Sequence, residues 1–284
     1  MATSWEDPPE YRPESGGTAQ IGLPTLTRGT RALLIANAAI FVASFLLYLV
    51  ADEVWPGVVQ WLGLRPAAWR DLAPFVPLWQ LFTYGFLHSI QDPFHLLLNL
   101  LTLYFFGTML EGILGTRRFL LAYFSAQLAG ACFFLAAGLA GEGRAVAIGA
   151  SGAVYGIMVA MATLRPRQRV FVFFIPVTLG VLALVFLGIT LFSTALQWKS
   201  GSTDGVAHLV HLGGIVYGFL AVKSKLLFAD PVSSMERSRK VREVRRHQDD
   251  EAKVDQLLDK INREGMTSLS KGEREFLKKI SSRR

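Results

Sequence analysis

Two short stretches carry the residue types that nucleophilic catalysis needs. In AIGASGAVYG, residues 147–156, Ser151 sits among Gly149, Gly152 and Gly156 inside an otherwise apolar run. In HLVHLGG, residues 208–214, His208 and His211 interrupt a second apolar run. A serine hydroxyl becomes a nucleophile when an adjacent base takes its proton, and neutral imidazole suits that task near pH 7. The attack creates an oxyanion, which needs donors already in place. His95 and Asn99 are one turn apart in HLLLN, residues 95–99, and both can donate from one helix face. If Ser151 opens a helix, its free backbone N–H groups add to them. Tyr155, one turn after Ser151, could stack on the imidazole and fix its plane. No Asp or Glu shares the required depth, so the pattern reads as a Ser–His dyad rather than a triad.

The elements that must position these groups are membrane spans. The chain has 284 residues, is 51% hydrophobic and has a mean hydropathy of +0.36. Its charge is segregated: polar up to residue 27, apolar from about 31 to 228, and densely charged after 230. That division predicts a flexible polar N-terminal segment (1–27), a six-helix membrane domain (28–228) and a charged helical C-terminal tail (229–284). Six runs approach the ~20 apolar residues that a helix needs to cross a bilayer. They are 32–51, 94–110, 119–139, 148–164, 170–192 and 206–228. Each is expected to be helical, because lipid excludes irregular backbone. The expected fold class is therefore an all-α membrane protein, a six-transmembrane-helix bundle.

Orientation follows from the basic residues. Arg28, Arg31, Arg117, Arg118, Arg165, Arg167, Arg169, Lys223 and Lys225 fall on one side if the spans alternate. The other side holds only Arg65, Arg70, Arg144 and Lys199. The positive-inside rule then puts both termini in the cytoplasm. The same rule explains the net charge of +7 without nucleic acid as a partner. The first residues, MATSWEDPPE, lack a basic start followed by an apolar run, so the first span is expected to act as the export signal. Cys132 falls inside the third run and is expected to pack there. The loop 52–92 contains WPGVVQWLGL and PLWQLFTYGFL, a composition suited to short amphipathic pieces in the outer interface.

Counting at about 1.5 Å per residue from the basic ends, Ser151, His211, His95 and Asn99 fall within about one turn of each other in the outer half of the core. Small residues let membrane helices touch backbone to backbone. Gly152 and Gly156 on the fourth span, with Gly214 and Gly218 on the sixth, have the required GxxxG spacing. Gly149 and Gly152 let the chain turn tightly around Ser151. The loop before it, GLAGEGRAVAIG, could admit the water that hydrolysis consumes.

Over residues 31–228 the sequence resembles the rhomboid family of intramembrane serine proteases. GASG (149–152) is similar to the family's GxSG nucleophile motif, and HLGG (211–214) to its histidine motif, which selects His211 over His208. HLLLN resembles the HxxxN element that supplies oxyanion donors, and Tyr155 falls where the family has a stacking tyrosine. EGILGTRR (111–118) resembles the end of the family's second helix. Where some members have a Trp-Arg pair in the first loop, this chain has Trp79-Gln80. The resemblance implies an endopeptidase that cuts single-pass membrane proteins near the outer face, with substrate entering from the lipid past spans two and five. It implies no metal or organic cofactor, and a bacterial cytoplasmic membrane as the site of action. The alternative is a catalytically silent rhomboid-fold protein that binds membrane clients; a small transporter is a further rival.

In the tail, MERSRKVREVRRHQDD is basic and then acidic, which suits either anionic lipid or a solvated helix. Val254, Leu257, Leu258 and Ile261 repeat at helical spacing, and Ser270 with Glu273 matches a capping box before Phe276, Leu277 and Ile280. A small helical hairpin or docking element is expected.

Overall fold

The first span shows how these helices are held. α1 (Arg28–Val50) begins after Thr27, whose side chain makes no cap bond to its own helix. The free N–H groups of Gly29 and Thr30 are accepted instead by the Glu111 carboxylate, each at 2.8 Å. The hydroxyls of Thr27, Thr30 and Thr116 donate to the same carboxylate. A buried anion at a helix N-terminus meets both the orphan donors and the positive end of the dipole. This one cluster joins the start of α1 to the second span and to the start of the third. Glu111→Gln replaces an acceptor oxygen with a donor nitrogen facing those hydroxyls and amides. It is expected to cost about 2–3 kcal/mol, read as a lower midpoint of thermal unfolding in detergent.

The structure, a computed structural model, describes residues 25–140, 145–172, 175–200, 208–228, 231–265 and 268–281. Most of the polar N-terminal segment and part of the loop before Ser151 (141–144) lie outside the described residues. The chain divides into two compact units, 1–228 and 229–284.

In the first unit, α1 is followed by the short helices α2 (Trp55–Leu62), α3 (Pro66–Asp71) and α4 (Gln80–Thr83). Trp61, Phe75, Trp79 and Phe82 are exposed on this loop, as suits rings lying in a bilayer interface. The second span, Pro93–Leu114, starts at the Asp92 cap with Pro93 in the first turn. It comprises α5 (Pro93–Thr102), a π-helical stretch (Leu103–Gly107) and α6 (Thr108–Leu114). Gly115, at φ 76°, ends it and allows α7 (Thr116–Ala140) to follow at once. Then come α8 (Ser151–Leu164), α9 (Leu179–Ser200) and α10 (His208–Lys223). Four of these spans are long and apolar enough to cross a bilayer, whereas α8 and α10 are shorter apolar helices. The protein is an all-α membrane protein. Cys132 lies on the exposed surface of α7 rather than packed within the bundle.

The fifth span departs from the sequence-based expectation. β1 (Arg169–Val172) and β2 (Ile175–Thr178) form an antiparallel pair where a helix is expected, and α9 starts only at Leu179. VFVFFIPVT is rich in β-branched and aromatic residues, and Pro176 would remove a hydrogen bond from a helix interior. With Arg165, Arg167 and Arg169 beside it, this pair belongs to the basic end of the bundle.

α10 packs between α8 and α7, and backbone contact defines both interfaces. A Cβ on Gly214 would overlap the carbonyl oxygen of Gly152, and one on Gly218 that of Gly156. On the other face, a Cβ on Gly213 would lie 2.6 Å from the carbonyl oxygen of Ala129. Because lipid is as apolar as the core, such close van der Waals packing, rather than hydrophobic burial, holds membrane helices together. α9 is attached differently. Leu182, Ala183, Phe186 and Leu187 touch the core, yet only 11% of its apolar window is buried.

The second unit holds α11 (Pro231–Glu264) and α12 (Lys271–Ser281). The capping box is present: Glu273 N–H donates to Ser270 Oγ at 3.3 Å, and Ser270 N–H donates to Glu273 Oε2 at 2.7 Å. Lys253 lies over the Phe276 ring and Lys260 pairs with Glu273, so α12 folds back along the second half of α11. Leu257 on α11 and Leu269 in the connection to α12 are buried.

Candidate active site

Ser151 is the first residue of α8 and His211 lies in the first turn of α10. Their approach follows from the glycine contact just described, which draws these two helix ends together. Ser151 Oγ lies 2.7 Å from His211 Nε2, a full hydrogen bond. The Tyr155 ring stacks on the imidazole, with centroids 4.4 Å apart and planes 8° from parallel. Three residues expected to meet are thus brought together. His208 meets His211 edge-on, with ring centroids 6.1 Å apart.

The approach to Ser151 is built by the chain just before it. Gly149 has φ 117°, a conformation that side-chain-bearing residues rarely adopt. The point where its Cβ would sit is 2.9 Å from His95 Nε2 and 3.8 Å from Ser151 Oγ. His95 therefore lies against bare backbone beside the serine, and any side chain at 149 would displace it. Asn99 is buried, and its amide donates to the His95 carbonyl at 2.8 Å. One of its two amide hydrogens is thus used within its own helix, which leaves one for another acceptor.

The interfacial loop holds this segment from the other side. Leu64 and Ala147 exchange two backbone hydrogen bonds at 3.0 Å, and Gly149 N–H donates to the Tyr84 carbonyl at 2.9 Å. Gln80 is buried and makes neutral bonds. Its Oε1 accepts from Arg65 N–H and its Nε2 donates to the Trp61 carbonyl, both at 3.2 Å. Trp79 donates to the same carbonyl at 2.9 Å and packs on Trp61. The loop is therefore fixed without a charge at position 80. Gln127 of α7 adds a bond to the Phe82 carbonyl at 2.7 Å.

His88, which the sequence marks as a structural or interfacial residue of the outer loop, is structural and belongs to the site's supporting wall. It is only 1% exposed and lies against the His95 ring. Its Nε2 accepts from the Ala150 N–H at 3.5 Å, and its Nδ1 faces the Phe86 carbonyl at 3.4 Å. This pattern needs the neutral ring with the proton on Nδ1. Burial, reinforced by neighbouring His95, pushes its pKa down to about 4. The unfolded chain takes that proton near pH 6.5 and the folded chain does not, so stability falls as pH drops from about 6.5 to about 4 and levels off below. The span of that effect is about 3 kcal/mol. Thermal unfolding followed from pH 7 to pH 4 is expected to show this slope, and His88→Phe is expected to make it shallower.

Among the described residues no group of three or more His, Cys, Asp or Glu side chains converges to hold a metal ion. The arrangement is that of a hydroxyl, an imidazole and nearby donors, all at one end of a membrane bundle.

Fold and site together define a polytopic α-helical membrane protein with a Ser–His pair inside the bundle. The family model of the rhomboid domain matches residues 77–226, more than half of the chain. The chain belongs to the rhomboid family. A second model, of a family of unknown function (DUF6576), matches residues 239–283. Rhomboid protein 1, mitochondrial, of Saccharomyces cerevisiae is 33% identical over 172 residues, covering 56% of this chain and 49% of that protein. RHOMBOID-like protein 12, mitochondrial, of Arabidopsis thaliana is 31% identical over 156 residues, covering 50% and 44%. Presenilin-associated rhomboid-like protein, mitochondrial, of Rattus norvegicus is 29% identical over 128 residues, covering 44% and 33%. The chain thus spans half or less of the length of these curated relatives.

Proposed function

We propose that this protein is an intramembrane serine endopeptidase that cleaves single-pass membrane proteins with Ser151 as nucleophile and His211 as general base. The observation that carries the reading is the 2.7 Å Ser151–His211 bond, with Tyr155 stacked on the imidazole. In this reading His211 Nε2 takes the hydroxyl proton as Ser151 Oγ attacks the scissile carbonyl, and returns it to the leaving amine. Water then repeats the cycle on the acyl-enzyme. His95, the free amide hydrogen of Asn99 and the N–H groups of the first turn of α8 are the donors nearest the developing oxyanion.

Substrate enters from the lipid between α5 and α9. Two observations support this path: the low burial of α9, and the exposed Phe94, Leu97, Leu98 and Leu101 on α5. A segment with helix-breaking residues suits the site, because a helical backbone hides its carbonyl carbons from attack. Both termini lie on the side of the basic loops, the cytoplasmic side if the membrane is a bacterial inner membrane, as the resemblance implies. The related yeast, plant and rat proteins are named as mitochondrial.

The test is co-expression with a panel of single-pass reporters. Fragments that form with the wild type and vanish in Ser151→Ala are expected. Reporters retained by the wild type, uncut and co-purifying with it, would favour the client-binding alternative.

A further inference from the structure

We infer that Phe186 on α9 is a positioning residue for His211, acting through Tyr155, so that the seating of α9 sets the reactivity of the Ser–His pair. The inference rests on the dyad reading above. Three rings from three helices stand in a row. His211 of α10 stacks face to face on Tyr155 of α8, and Phe186 of α9 meets Tyr155 perpendicularly, with centroids 5.3 Å apart and planes 88° from parallel. Tyr155 is therefore held between the base and a residue of the least buried helix at the site.

The three helices are not equally fixed. α8 and α10 touch backbone to backbone along Gly152, Gly156, Gly214 and Gly218 and cannot shift independently. α9 is held by backbone hydrogen bonds at its start, from Leu179 and Gly180 to Gln168 and Pro166, and beyond that it meets the core through apolar side chains, Phe186 among them. The Tyr155 ring has a rigid backbone but a free rotor, and its plane is set by what stands on either side. Removing Phe186 empties one side. The ring then samples other rotamers, the imidazole loses its flat wall, and the bond to Ser151 is formed for less of the time. When α9 moves aside to admit a substrate helix, the same support is withdrawn until α9 or the substrate restores it. Phe186 thereby links entry to the readiness of the base.

The experiment uses the full-length protein in detergent and a small fluorophosphonate, which needs no docking of a transmembrane segment and so reports the state of the pair itself. Phe186→Ala is expected to slow labelling of Ser151 by about twofold to tenfold, the worth of one aromatic contact. Phe186→Leu, which keeps apolar volume and protects against loss of fold, is expected to slow it less. Ile189→Ala, on the same helix and exposed to lipid, is expected to leave the rate unchanged. In a Tyr155→Ala background, Phe186→Ala is expected to add nothing, because the two residues act in series. Unchanged labelling in folded Phe186→Ala and Phe186→Leu would overturn the inference. So would an equal loss with and without Tyr155, which would mark Phe186 as general packing. A folded wild type that does not label at all would overturn the dyad and this inference with it, and is distinguished by that first measurement.

Discussion

Gly214→Ala is expected to abolish reporter cleavage and to destabilise the membrane core by about 3 kcal/mol, the upper end of overpacking costs. The added methyl group would overlap the carbonyl oxygen of Gly152. No rotamer can relieve a clash between a Cβ and backbone, so α10 must move away from α8. Gly152 adjoins Ser151 on α8, and Gly214 lies one turn after His211 on α10. Separation of these helices therefore acts directly on the 2.7 Å bond, and a misplacement of about 1 Å can cost about 100-fold in rate. Gly218→Ala is expected to behave likewise, since its Cβ would overlap the Gly156 carbonyl. Gly188→Ala is the contrast: nothing lies within 4 Å of its added Cβ, and alanine is the better helix former by about 1 kcal/mol. Thermal unfolding and reporter cleavage of the three variants check this pattern. A Gly214→Ala protein as stable and active as the wild type would refute the packing account.

Ser151→Ala and His211→Ala are each expected to lower cleavage by about 1,000-fold or more while leaving the fold intact. The α8–α10 interface rests on the glycine contacts, which neither substitution touches, so unfolding midpoints are expected to stay close to the wild type. The two losses are expected not to add. A nucleophile without its base and a base without its nucleophile fail at the same step, so the double variant should be about as inactive as either single one. His208→Ala is the internal control: its ring meets His211 edge-on, with no hydrogen bond to Ser151 in view. Initial rates on one reporter, with unfolding curves for each variant, provide the check.

Much of the site was legible because membranes make polar residues conspicuous. Ser151, His95, Asn99 and His211 stand out in apolar runs, and their common depth follows from counting residues. The glycine spacing on the fourth and sixth spans likewise announces backbone contact. Gly213 lies outside the two GxxxG pairs; the available signal was the small-residue spacing of Ala122, Ala126 and Gly130 on α7. The strand pair at 169–178 was hidden in an apolar run whose periodicity does not separate strand from helix. Pro176 was the available signal. The π-helical stretch at 103–107 leaves no compositional trace in LYFFG. His88 was readable only as a structural or interfacial residue, without its partners. HSIQD reads as a polar loop, and its burial arises only when that loop folds against His95 and Ala150. Gln80 shows the same limit from another side: its position was recognisable as a departure, but the neutral bonds that replace a charge needed coordinates.

The central claim is that His211 activates Ser151. The most direct measurement is mass spectrometry of peptides from folded protein treated with a fluorophosphonate, comparing the wild type with His211→Ala. The account predicts a phosphonyl adduct on Ser151 in the wild type, formed as Oγ displaces fluoride and gives up its proton to the imidazole, and little or none in the variant. A folded wild type without the adduct, or a His211→Ala protein that acquires it at the same rate, would contradict the account.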